Sequence, residues 1–137
     1  MSSSSSSFSN KTPDLIYYSD KKDLPDYDIL EKSKNDTEYI STNLNIYADS
    51  KLTIPIGYIT GRVLQDQNIT SYTGYVKFTT FNGALTYYAV SDDYYSSIYI
   101  DTILAGSGNL LGATGYVVVI RNEDLDYLIN YVYLEKK

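Results

Sequence analysis

Three features of this 137-residue chain predict an all-β fold, an antiparallel closed barrel of seven or eight strands with a mostly irregular N-terminal arm. Beyond residue 38, polar and apolar residues alternate with a period of two, and no 3.6-residue stripe of useful length appears. All 8 glycines lie between Gly57 and Gly115, several inside the alternating runs, where small residues let a sheet coil or close. Lysine is scarce within those runs, Lys77 being the exception. The charged edges that protect an open sandwich are therefore missing, and closure is the alternative that removes edges.

The chain divides near residue 38, into an arm over 1–38 and a barrel domain over 39–137. Residues 1–12 are Ser-rich and low in complexity, and 13–38 are rich in acids and lysines. Pro25 suits the first turn of a short helix running to about Lys34. Leu15-Ile16-Tyr17-Tyr18 is the apolar patch of this arm, free either to stay loose or to add to a sheet edge.

The strands then follow in order. In the first run Ile40, Thr42, Leu44, Ile46 and Ala48 share one face. The second spans Ile54 to Leu64, with Gly57 and Gly61 on one face. The third, Tyr72 to Phe81, meets Asn82-Gly83, the pair preferred in a type I′ hairpin, and a fourth returns from Ala84 to Val90. Ser97 to Leu104 and Tyr116 to Arg121 come next, and the polar turn Asn122-Glu123-Asp124 leads into Tyr127 to Leu134.

Composition removes whole classes of chemistry. Cysteine and histidine are both absent, which excludes disulfides, thiolate nucleophiles, Ser-His-Asp hydrolases and the common transition-metal sites. Acid–base work would fall to Asp, Glu, Lys or Tyr with shifted pKa values. The net charge is −6, with no dense basic cluster, so neither nucleic acid nor an anionic membrane is an expected partner. No apolar run is long enough to span a bilayer as a helix. Met1 is followed by serines rather than by a charged and apolar leader, so the expected location is intracellular. The 17 tyrosines against no tryptophan, together with a serine homopolymer, suggest an AT-rich genome such as that of a low-GC protist or a large DNA virus.

Between the fifth and sixth runs lies Ala105-Gly106-Ser107-Gly108-Asn109-Leu110-Leu111-Gly112-Ala113-Thr114-Gly115-Tyr116. A β-run follows it rather than a helix, so it does not read as a phosphate cradle. The segment resembles the glycine-rich GTG-x-F-x-x-A-x-G motif of the allene oxide cyclase and dirigent protein superfamily. Gly106, Gly108, Gly112 and Gly115 carry the motif. Phe81 to Leu85, Gly61-Arg62, Tyr116 to Val119 and Asn130 to Tyr133 are similar to its flanking strands. The resemblance covers roughly residues 39–134 and implies an eight-stranded barrel, frequently trimeric, with a central cavity for an apolar small molecule. The pattern departs from the family at Ala105, at Leu110, and in residues 97–102, where plant dirigent proteins carry an arginine.

Five residues are candidate cavity groups: Arg62, Tyr58, Tyr75, Tyr99 and Asp101. In a closed barrel Asp101 can point its carboxyl inward beside tyrosines, with a pKa raised by desolvation. Alternation favours the opposite, with Tyr99 and Asp101 facing water while Ile98, Ile100, Thr102 and Leu104 fill the core. Arg62, if inward, needs a carboxylate partner or an anionic ligand, and reads preferentially as a barrel-mouth or interface arginine paired with Asp or Glu. Tyr58, Tyr72, Tyr75, Tyr87, Tyr88, Tyr94, Tyr95 and Tyr99 divide between core, cavity and a contact surface. Asp92-Asp93 reads as a solvated turn. No catalytic residue, metal site or cofactor is assigned. The favoured reading is a non-enzymatic structural or assembly protein that homo-oligomerises through a Tyr-rich barrel surface and its arm, as a component of a viral particle or fibre. The alternative is a dirigent- or cyclase-like barrel that binds an apolar small molecule and guides its cyclisation or coupling.

Overall fold

A computed structural model describes residues 12–23, 37–66, 69–91, 97–122 and 124–136. The helix expected after Pro25, the Asp92-Asp93 turn, Tyr94 and Tyr95 lie outside them. Eight strands form a closed barrel in which each pairs antiparallel with its sequence neighbours. They are β1 (Leu15–Asp20), β2 (Thr37–Tyr47), β3 (Pro55–Asp66), β4 (Ile69–Phe78), β5 (Gly83–Ser91), β6 (Ile98–Gly108), β7 (Thr114–Arg121) and β8 (Tyr127–Lys136). Among the described residues no helix is long and apolar enough to cross a membrane.

The Leu15–Tyr18 patch supplies the strand that closes the barrel, so one stave comes from the N-terminal 38 residues. β1 pairs with β8 from Leu15↔Val132 to Asp20↔Tyr127, but with β2 only at Tyr18↔Tyr47 and Ser19↔Ile46. Its hold on β8 is reinforced at both ends. Asp14 Oδ2 accepts from the Leu134 amide at 2.7 Å, and the Lys21 ammonium donates to the Leu125 carbonyl at 3.2 Å. Each such charge-assisted contact satisfies a backbone group at a strand end.

Three expectations change on contact with the structure. In β2 the register slips between Ser41 and Leu44, where Asn43 takes φ 55°. This bulge reverses the alternation, so Ile40 is exposed while Leu44 and Ile46 turn inward. At the β4–β5 connection neither Asn82 nor Gly83 has the positive φ that a type I′ turn requires. Phe78 and Gly83 are register partners, and residues 79–82 make the turn between them. Gly83 is needed for space instead: a Cβ there would sit 2.6 Å from the Phe81 ring.

The third change concerns β6, whose Ile98, Ile100 and Leu104 face outward and are about half exposed (53%, 48% and 59%). Tyr99, Asp101 and Ile103 take the inner face. On β6 three of the large aliphatic residues are thus outer ones, and a carboxyl is an inner one.

The glycine-rich connection closes one end of the barrel. Leu110 and Ala113 are buried there, against the core made by Ile46, Val76, Phe78, Leu85, Val117, Val132 and Leu134. Phe78 and Phe81 stack beneath them at 5.0 Å. Gly106 lets the turn fold back on itself, since a Cβ would lie 1.9 Å from the Leu110 carbonyl oxygen. Gly115 combines a positive φ of 135° with a lack of room, since a Cβ would lie 2.0 Å from the Tyr133 carbonyl oxygen. The motif is thus a plug built from a tight turn, and burying a side chain such as Leu110 stabilises the fold by roughly 1.5–3 kcal/mol.

Candidate functional site

Two tyrosines divide the barrel interior. Tyr17 on β1 and Tyr87 on β5 come from opposite walls and join hydroxyl to hydroxyl at 2.8 Å. They are 1% and 2% exposed. Burial pushes both phenol pKa values well above the usual range, so both stay protonated at neutral pH. Space for Tyr87 and for its neighbour Tyr72 is cut into adjacent strands. A Cβ on Gly74 would lie 2.2 Å from the Tyr87 ring, and one on Gly61 would lie 2.9 Å from the Tyr72 hydroxyl.

On the plug side of this crossbar lie the buried side chains of the core. On the other side lies a cavity of about 120 Å³. Its walls include Leu44, Ile59, Val63, Val119 and Leu128, with Tyr72, Tyr87 and Tyr99. Polar groups enter at Ser19, Thr70, Asp101 and Asn130. Tyr72 meets Tyr87 edge to face at 6.0 Å. The Asn130 amide donates to the Tyr17 carbonyl and to Ser19 Oγ, both at 3.2 Å, which fixes its orientation.

Asp101 is 4% exposed, and removal from water raises its carboxyl pKa to about 7. At neutral pH it is therefore divided between a proton donor and a proton acceptor, as acid–base chemistry requires. The strand register explains its position. Asp101 lies opposite Val117 on β7, one inward step from the Tyr99↔Val119 pair, and Val119 in turn faces Asn130 on β8. Among the described residues no group of His, Cys, Asp and Glu is placed to hold a metal ion.

Of the five sequence candidates, the structure brings Tyr99 and Asp101 to the cavity. The other three are corrected. Tyr58 and Arg62 alternate with Ile59, Gly61 and Val63, which line the cavity, and so lie on the outer face of β3. Arg62 pairs there with Glu38, as expected of an arginine that meets an acid. Tyr75 is on the outer face of β4 and exposed. Asn130, Ser19 and Thr70 are not among the candidates, because small polar residues in strands carry no signal of an inward direction. Tyr17 is hidden from sequence reasoning by its place in the polar arm.

The Asp101 shift makes stability depend on pH with a definite sign. Folded Asp101 holds its proton more tightly than the unfolded side chain, with an ordinary pKa of 3.8. Stability therefore falls by roughly 1.4 kcal/mol per pH unit between the two pKa values and is level above the folded one. Asp101→Asn is expected to leave the Tm almost unchanged at about pH 4 and to raise it above wild type at about pH 8. A Tm difference equal at both pH values would refute a desolvated carboxyl.

No family model matches the chain, and a search of curated proteins finds no match. Solved structures do match. Pyocyanin demethylase superposes with a TM-score of 0.59 at 14% identity, over 88% of this chain and 92% of that one. The pterocarpan synthase dirigent protein PsPTS1 superposes with a TM-score of 0.54 at 11% identity, over 90% of this chain and 99% of that one. At these identities the likeness is one of fold, an eight-stranded closed barrel.

Proposed function

We propose that the barrel binds an apolar, ring-bearing small molecule in its open half and holds it against Asp101 for a proton-coupled cyclisation or coupling step. One observation carries the reading: a cavity with mainly apolar walls contains a buried carboxyl whose pKa lies at about 7. Such a reaction depends on holding the substrate in one conformation, and His and Cys are dispensable for it. Tyr87, held from beneath by Tyr17, forms the floor, and Asp101 gives or takes the proton. Both fold relatives are named for acting on small molecules, which supports this reading over a purely structural one. The cavity is also close in size to the ~150 Å³ apolar cavity that accepts benzene in another protein.

Ligand-observed NMR with phenol and indole tests the binding step. Both are expected to bind with Kd of about 1 mM or tighter, and Ala89→Phe, which fills the cavity from β5, is expected to abolish binding while the barrel stays folded. Equal binding to the filled variant would remove the reading.

A second reading rests on a separate observation. Tyr88 and Val90 on β5 and Ile98, Ile100 and Leu104 on β6 expose large apolar side chains on the outer faces of paired strands. A patch of this kind supports self-association of the barrel through this wall. Sedimentation is expected to give an oligomer for the wild type and a monomer for Ile100→Lys. A wild-type monomer at high concentration would exclude it.

A further inference from the structure

The polar inventory of the cavity is lopsided. Its ionisable lining groups are Asp20, Asp101 and the phenols, and no lysine or arginine is among the described residues that line it. The groups facing Asp101 can be followed strand by strand. β1 brings Tyr17 and, at its end, Asp20; β4 brings Tyr72, β5 Tyr87, and β6 Tyr99 beside Asp101 itself. From β2, β3, β7 and β8 come Leu44, Val63, Val119 and Asn130, none of which carries charge. Arg121 follows Val119 on the same face of β7, one step beyond the lining, and is engaged in contacts of its own.

A carboxylate in such a place has no counter-charge in the lining, and an ionised group out of water is costly until it gains one. An anionic ligand would meet two carboxyls in that lining and no cation. A cationic ligand would meet Asp101 as its partner and three electron-rich tyrosine rings among its walls. The volume of about 120 Å³ suits one planar ring, with substituents extending toward the open end.

We propose that the cavity selects a planar aromatic cation, a nitrogen heteroaromatic carrying a proton or a fixed positive charge, with Asp101 as its counter-ion. This rests on the small-molecule reading above and names the ligand class. Binding of a fixed cation draws Asp101 into its ionised form, so protons leave the protein as the complex forms at neutral pH. A protonated ligand instead shares a proton with the carboxyl.

Three probes of similar size separate the possibilities: N-methylpyridinium, toluene and benzoate, each titrated by NMR into the wild type and Asp101→Asn. The wild type is expected to bind N-methylpyridinium roughly tenfold more tightly than toluene and to ignore benzoate. Asp101→Asn is expected to retain toluene binding and lose the preference. Affinity for the cation is expected to fall as pH drops through about 7, while that for toluene stays level. Benzoate binding as tightly as the cation, or a preference that persists in Asp101→Asn, overturns the inference. Equal binding of all three overturns it while leaving the small-molecule reading intact, and binding of none removes both.

Discussion

The Tyr17–Tyr87 hydrogen bond is the contact on which the interior depends. In an eight-stranded barrel β1 and β5 stand opposite one another, so these phenols meet near the axis and bridge the full cross-section. Buried hydroxyls without partners would each cost about 1–3 kcal/mol, and pairing them with each other removes that cost with no further protein group. The bridge also ties the strand drawn from the polar N-terminal segment to the far wall. Beneath it, Phe78 packs edge to face on Tyr17 at 6.1 Å and the glycine-rich plug completes a dry core. Above it, no side chain of the described residues fills the axis and a cavity results.

That division separates two tasks that would conflict in one uniform core. The packed half supplies the cohesion of the fold, with Ile46, Val76, Val117 and Val132 almost wholly buried. The open half tolerates a carboxyl that opposes folding as it ionises. Asp101 is destabilising in a structural sense, and its place on an inner wall makes sense as chemistry. Asn130 serves both halves, since its amide is spent on the β1 backbone and Ser19 while its side chain borders the cavity.

Period-two alternation, the glycines and the motif at residues 106–115 are enough to read the barrel and its family likeness. β1 is harder to place, because acids and lysines surround the short patch and only its pairing with β8 shows its role. The inner and outer faces of β6 defeat alternation for a physical reason. Hydrophobicity marks a side chain that avoids water, and Ile98, Ile100 and Leu104 occupy the outer wall. Alternation also loses phase at a bulge, which is why Ile40 falls on the face opposite to the one its pattern suggests. The site itself is partly legible: Tyr99 and Asp101 are visible as a pair on one strand face, whereas Tyr17 and Asn130 depend on contacts between strands far apart in sequence.

The central claim is that a carboxyl is held out of water at the edge of a mainly apolar cavity. A ¹³C NMR titration of the Asp101 carboxyl carbon in the intact protein tests it most directly. The structure predicts a midpoint at about 7, and a midpoint near the ordinary 3.8 would contradict the claim.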